Sequence, residues 1–276
     1  MILALDLDDT LLRSDKTVSP RSVDALRRWL SAGHEVIVAT GRPPRWIPDV
    51  LPPELHGAPR VAYNGAHVIV DGAVVYRNEI SPSDVRTVVE WTQRAYPHWC
   101  VGLEIEDELF VNRETPKAGH YTVTDLAPLC ERPAAKIIFL FPGEREDVGP
   151  LVAALPSTTR ALITPKFSLV QLCGHTTDKA DALAHLLAQR GLGFDSLAAI
   201  GDDVNDTQML QRAGIGIAVD NALPEVKAAA DWITAAANDD GVALAIDRLL
   251  AEATAAQSHV GVRKSRTWAC ELDKGG

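Results

Sequence analysis

The first nine residues, MILALDLDD, constrain this chain more than any other stretch. Ile2 to Leu5 form a short continuous apolar run, as in a strand covered on both faces, and such strands belong to parallel sheets packed between helices. The run then meets Asp6, Asp8 and Asp9 within four residues. Carboxylates are rarely buried unless something pairs with them, so a buried strand ending in three acids needs a turn, a cation or a reaction to account for it.

Strand and helix signals alternate after this start. Ser19 and Pro20 are an N-cap and a first helical residue, followed by Val23, Leu26, Trp29 and Leu30 at helical spacing and by Gly33 as a stop. EVIVAT is a second strand, and the proline-rich GRPPRWIPDVLPPEL can hold only short helical pieces. RVAYNGAHVIVDGAVVYRNEI reads as a third strand and a hairpin whose Asp71-Gly72 pair suits a type I′ turn.

SPSDVRTVVEWTQRAYP opens a block of different texture, in which VGLEIEDELFVN is a hairpin, AAKIIFLF a strand and REDVGPLVAAL a helix. From Thr176 the first texture returns, with DKADALAHLLAQRG as a helix, SLAAIGDD as a buried strand running into acid, and DTQMLQRAG as a helix. The fold class expected is α/β: a Rossmann-like parallel sheet core from 1–81 plus 176–253, with an inserted α+β domain at 82–175. The stretch 254–276 shows no clear periodicity and is expected to be a poorly ordered tail.

A chain of 276 residues accommodates two ordinary domains, and 46% hydrophobic with 23% charged residues is a globular composition. The net charge of -10 argues against a nucleic-acid polymer as partner, and any phosphate bound here should be small. No apolar run reaches about twenty residues, so no membrane span is expected. Cys100, Cys130, Cys173 and Cys270 form no C-x-x-C pair, and Asp6 interrupts any leader-like apolar stretch. A cytoplasmic protein with reduced thiols follows as the expectation, as a monomer or a small homo-oligomer.

Four stations carry candidate chemistry: Asp6 and Asp8 with Thr10, then Thr40-Gly41-Arg42, then Lys179 at a helix start, then GDDVND from Gly201 to Asp206. In an open parallel sheet, ligands bind in the crevice outside the carboxyl ends of the strands, where these segments can converge. Asp6 and Asp8 leave one face of an extended strand and repel each other unless a cation sits between them. Asp202 completes an oxygen site for a hard ion of the Mg²⁺ kind. Thr40 can donate a hydroxyl to a phosphate oxygen, Gly41 admits close backbone approach, and Lys179 balances charge on a phosphoryl group. Taken singly, these residues are a cap, a turn and a solvated lysine, and GDDVND lacks the twelfth-position Glu of a calcium loop. Only their ordered combination argues for one site.

That combination resembles the haloacid dehalogenase (HAD) superfamily of phosphatases, in particular its Cof-like subfamily IIB with a C2-type cap. Asp6-Leu7-Asp8-Asp9-Thr10 matches the D-x-D-x-T signature, Val38 to Arg42 the second motif, Lys179 the third, and Gly201 to Asp206 the GDxxND form of the fourth. The likeness covers about residues 1–250, with the 82–175 insert where the family places its larger caps. It implies a Mg²⁺-dependent phosphomonoester hydrolase acting on a small phosphorylated metabolite, a sugar phosphate foremost, through an aspartyl-phosphate. Asp6 would be the nucleophile and Asp8 the acid and then the base. The metal would be held by Asp6, Asp8 through its carbonyl, and Asp202, with Asp206 in support, and the phosphate by Thr40, Gly41, Lys179 and Asn205.

Two departures stand out: Asp9 replaces the usual glycine, and a longer turn, Gly174 to Asp178, precedes Lys179, with Lys166 as the fallback. Asp8, which dehalogenases of the superfamily lack, speaks against carbon–halogen hydrolysis. The alternatives are a phosphomutase of the same superfamily and a non-enzymatic phospho-acceptor or sugar-phosphate-binding module; the four intact stations argue against the latter. Arg42, Trp46, Glu104, Arg113, His120 and Lys136 are unranked candidates for contacts to the rest of the substrate.

Overall fold

The computed structural model describes the backbone of residues 1–115, 119–140, 147–164 and 169–268, with side chains through residue 255 of the last segment. β1 (Ile2–Leu5) leads through α1 (Pro20–Ser31) to β2 (Glu35–Ala39), β3 (Arg60–Ala62) and the hairpin of β4 (His67–Val70) and β5 (Ala73–Arg77). α2 (Pro82–Ala95) opens a second unit with β6 (Cys100–Ile105), β7 (Glu108–Val111), β8 (Thr122–Val123), β9 (Lys136–Leu140), α3 (Gly149–Ala154), β10 (Thr159–Thr164) and β11 (Leu169–Gly174). α4 (Lys179–Gln189), β12 (Leu197–Gly201), α5 (Thr207–Arg212), β13 (Ile215–Ala218), α6 (Pro224–Ala229), β14 (Trp232–Ile233) and α7 (Gly241–Trp268) follow.

Local chemistry sets the boundaries. Ser19 accepts from Ser22 N ahead of Pro20, and Ser81 accepts from Asp84 N ahead of Pro82. Caps of this kind each stabilise a helix by about 1 kcal/mol. α1 buries Ala25, Leu26 and Trp29, and the Trp29 indole N–H donates to Glu35 O at 2.8 Å, which ties the helix to the start of β2. Asp71 and Gly72 have φ of 50° and 77°, as the I′ turn between β4 and β5 requires.

Among the described residues two sheets form. The larger has the order β14-β13-β12-β1-β2-β3-β4-β5. β1 lies between β12 and β2, parallel to both, and β13, β14 and β3 continue the parallel set outward. The chain thus builds outward on one side from β1 and on the other from β12, which puts the topological switch point, and the crevice it opens, at the ends of these two strands. Leu3, Leu5, Ile37, Val38, Ala199 and Ile200 are buried in its core.

The second sheet has the order β10-β11-β9-β6-β7-β8 and is antiparallel except where β8 joins β7. Period-two alternation divides its side chains. Val101, Leu103, Ile137, Phe139, Val170 and Leu172 form one core with Val85, Val88 and Val89 of α2, while their neighbours along each strand face the larger sheet. β10 and β11, which the sequence pattern does not single out, pair with each other, and β11 pairs with β9.

The stretch expected as a tail begins within a helix. The backbone continues as α7 from Gly241 to Trp268, because Ala251, Ala253, Ala255 and Ala256 carry high helix propensity although they offer no hydrophobic period. Residues 269–276, with Cys270, lie outside the described residues. Cys100, Cys130 and Cys173 are buried free thiols.

Candidate active site

The crevice is assembled from four separate segments. Asp6 follows β1, and its N–H donates to Ile200 O of β12 at 3.1 Å, so the strand pairing itself fixes the carboxylate beside the end of the neighbouring strand. Lys179, the first residue of α4, is fully buried; its Nζ donates to Asp6 Oδ1 at 2.6 Å and to Asp206 Oδ1 at 2.7 Å. Asp178 caps α4 by accepting from Ala180 N at 2.8 Å, so the longer turn before Lys179 ends in an ordinary helix start. Gly65, at φ +107°, packs on this turn: a Cβ there would fall 2.2 Å from Asp178 O. Lys166 lies outside the described residues.

Carboxylate oxygens of Asp6, Asp202 and Asp206 lie within 4.8 Å of one another. Burial pushes the Asp6 carboxyl well above the ordinary range against the pull of Lys179, and Asp206 and Asp202 push it further. Burial likewise takes Asp202 up to about 7, aided by Asp206 and opposed by a hydrogen bond from Thr10 Oγ1 at 2.9 Å and by Lys179. The acids in turn hold the Lys179 ammonium above its usual pKa, despite the cost of its burial. One ammonium therefore faces three carboxylates, and an oxygen set of this kind suits a hard divalent cation. Asp206 is the least available ligand, since Oδ1 accepts from Lys179 while Oδ2 accepts from the backbone N–H groups of Asp202 at 3.0 Å and Asp203 at 3.2 Å.

The Asp8 carboxylate stands outside that cluster. Arg42 grips it with Nε at 2.7 Å from Oδ2 and Nη2 at 2.8 Å from Oδ1, and Lys16 Nζ donates to Oδ1 at 2.9 Å. Burial would raise this carboxyl, but the Arg42 and Lys16 contacts outweigh it and hold it below the usual value. Asp9 has φ of 59°, which explains why a glycine suits the position and why aspartate, one of the residues that enters the left-handed region most readily, is tolerated. Its carbonyl accepts from Asn221 Nδ2 at 2.7 Å.

Thr40 is buried and its Oγ1 accepts from Arg42 N at 3.2 Å. Gly41 is required by close approach, since a Cβ there would lie 2.6 Å from Asn64 Oδ1. Asn64 Oδ1 also accepts from Asn205 Nδ2 at 2.8 Å, which joins the second and fourth stations.

Above these groups is a cavity of about 480 Å³ whose lining includes Asp6, Asp8, Asp9, Thr40, Gly41, Asn64, Asp202 and Asn205 from the larger sheet's side. Arg42, Trp46, Glu104 and Lys136 also line it, whereas Arg113 and His120 do not. Arg113 instead donates to the carbonyls of His98 and Pro97. Lys16, Asn64, Arg45 and Gln171 were not singled out by sequence, although the Asn64-Gly65 pair is a turn signal that marks the left-handed Asn64, at φ 58°.

A model of the haloacid dehalogenase-like hydrolases matches residues 3–246. A phosphoglycolate phosphatase of Natronomonas pharaonis is 32% identical over 251 residues, covering 89% of this chain and 96% of its own. A 5-amino-6-(5-phospho-D-ribitylamino)uracil phosphatase of Bacillus subtilis is 27% identical over 257 residues, 88% of this chain and 94% of its own. Among solved structures, a phosphatase of the haloalkanoate (HAD) superfamily from Bacteroides thetaiotaomicron aligns with a TM-score of 0.78 at 28% identity, over 90% of this chain and 94% of that one. A HAD subclass IIB sugar phosphatase shares the fold, with a TM-score of 0.78 at 21% identity over 90% of this chain and 98% of that one. The parallel sheet with its strand-end acids is thus the HAD core and the antiparallel sheet its cap, and the chain belongs to the haloacid dehalogenase-like hydrolases as a phosphatase of the Cof-like kind.

Proposed function

We propose that this phosphatase hydrolyses the phosphomonoester of a small metabolite through an aspartyl-phosphate on Asp6, with Mg²⁺ as cofactor. The observation that carries the reading is the buried Lys179 ammonium shared by Asp6 and Asp206 beneath a cavity. A lysine so placed keeps Asp6 oriented and offsets negative charge as a phosphate approaches.

In the first step an Asp6 oxygen attacks phosphorus, the bond from phosphorus to the ester oxygen breaks, and the departing alkoxide takes a proton from Asp8. In the second, water loses a proton to Asp8 as its oxygen attacks the aspartyl-phosphate, which frees Asp6 and inorganic phosphate. Asp8 needs a proton for the first step, so Arg42 has to loosen its grip, and an incoming phosphate dianion competes for that guanidinium. Thr40, the Gly41 turn and Asn205 line the side from which phosphate oxygens would be held.

Asp6 and Asp202, with Asp206 behind them, fit a divalent cation, and Mg²⁺ there would polarise the phosphoryl group and offset the carboxylates' repulsion. The buried free thiols fit a reducing, cytoplasmic setting.

The test is release of inorganic phosphate from an alkyl phosphate with Mg²⁺, with EDTA, and in Asp6→Asn. Loss of turnover in the last two is expected, and wild-type activity in Asp6→Asn would overturn the mechanism.

A further inference from the structure

The cavity wall opposite the carboxylates is the face of the cap sheet, and its chemistry is uneven. Glu104 and Lys136 are cross-strand partners on β6 and β9. The next positions outward on that face set Ile138 beside Gln171 and Leu140 beside Leu169, with Leu109 opposite Glu104 on β7. All of these line the cavity.

Glu104 is already engaged. Arg45 Nη1 and Nη2 donate to its two oxygens at 2.7 and 2.9 Å, and Tyr63 Oη donates at 3.0 Å. Lys136, only 6% exposed, donates from Nζ to Gly41 O at 2.8 Å and to Gln171 Oε1 at 2.7 Å. An ammonium carries three N–H groups, and among the described residues the third has no hydrogen-bond acceptor, only the Tyr63 ring with its centre 5.5 Å from Nζ. The Gln171 amide N–H groups also have no partner among the described residues. The cap therefore offers a ligand two neighbouring donors set in an aliphatic wall.

A polyhydroxylated leaving group fits such a wall badly, because each hydroxyl drawn from water loses hydrogen bonds that four aliphatic side chains cannot return. A flat ring has the opposite profile: its face packs on aliphatic carbon, and an acceptor on its edge, a ring nitrogen for one donor or an exocyclic carbonyl oxygen for both, can satisfy them. We propose, resting on the phosphomonoester reading above, that the released alcohol carries an aromatic or heteroaromatic ring seated against Leu109, Ile138, Leu140 and Leu169, with a ring-edge acceptor held by Lys136 and Gln171. This narrows the expected substrate away from sugar phosphates.

Four primary alkyl phosphates with leaving alcohols of similar acidity test it on the full chain with Mg²⁺: benzyl phosphate, 3-pyridylmethyl phosphate, glucose 6-phosphate and glycerol phosphate. The two ring esters are expected to exceed the two polyol esters in kcat/KM by at least about tenfold, with the pyridylmethyl ester ahead of benzyl. Lys136→Met should erase the pyridylmethyl advantage, and Leu169→Gln, at a half-buried position, should lower the ring-to-polyol ratio by about fivefold or more. Polyol esters turned over as well as the ring esters would overturn the inference and leave the phosphatase mechanism standing. No hydrolysis of any of the four, with Asp6→Asn indistinguishable from wild type, would overturn both.

Discussion

Arg42 clamps Asp8 in a two-point ion pair, Nε to Oδ2 at 2.7 Å and Nη2 to Oδ1 at 2.8 Å, directly beside the buried acid cluster. A guanidinium stabilises only the charged carboxylate, so the group expected to donate a proton to the leaving alcohol rests in its deprotonated form.

Arg42→Ala removes that stabilisation and should raise the Asp8 pKa. The alkaline limb of the kcat/KM profile, which reports the free enzyme in which Arg42 holds Asp8, is then expected to move to higher pH while KM for the phosphate ester rises. A kcat/KM limb that stays in place would show that Arg42 does not set the Asp8 pKa in the free enzyme.

Lys179→Met strands two buried carboxylates. Breaking a buried ion pair by removing one partner costs about 3–5 kcal/mol, so a drop of that order in unfolding free energy is expected together with loss of turnover. Denaturant melts of the wild type and the variant in the same buffer measure it. A change under about 1 kcal/mol would contradict the pairing.

Divalent-cation binding should depend on pH in a defined direction. Asp202 has to lose a proton held up to about 7, so apparent Mg²⁺ affinity is expected to rise as pH increases through that value. Without metal, the folded state keeps this proton at pH values where the unfolded chain has released it. Stability therefore falls as pH rises from the ordinary carboxylate range through about 7. Mg²⁺ at a hundredfold excess over its Kd would restore about 2.7 kcal/mol. The cation's effect on Tm should accordingly be larger at pH 8 than at pH 5.5, and equal effects would count against Asp202 as a ligand.

Gly65→Ala should act on catalysis from outside the cavity. The new Cβ would meet Asp178 O at 2.2 Å in a backbone conformation, φ +107°, that alanine rarely adopts. Strain of about 1–3 kcal/mol is expected, along with a displaced α4 start that shifts Lys179 and lowers kcat. A variant with unchanged Tm and kcat would show that the turn yields without moving the lysine.

The candidate site was legible in sequence wherever local pattern fixes a place in the topology. Asp6, Thr40 and Asp202 each follow an apolar strand, and Lys179 opens an amphipathic helix, so a parallel sheet brings them together whatever else the chain does. Partnerships set by distant packing were not legible. Nothing near Asp8 in the chain reveals that Arg42 holds it, and nothing near Asp206 shows that its oxygens are taken by Lys179 and two backbone N–H groups. Glu104 and Lys136 could be named but not ranked, because only the tertiary structure shows the first tied to Arg45 and Tyr63 and the second reaching Gly41. β10 and β11 escaped notice because ALITPKFSLVQLCG has a proline and a lysine at its centre and no clean alternation.

The cap residues that face the cavity, Glu104, Leu109, Lys136, Ile138, Leu140, Leu169 and Gln171, fall in one uninterrupted stretch of chain. The acids, Thr40, Lys179 and Asn205 all lie before or after it. On the proposed mechanism, a lineage could rewrite the middle third of this chain and change which alcohol is released while Asp6, Thr40, Lys179 and Asn205 stay as they were. For a protein engineer the same layout marks which seams such a rewrite would have to keep: Lys136 to Gly41 O, and Glu104 to Arg45 and Tyr63.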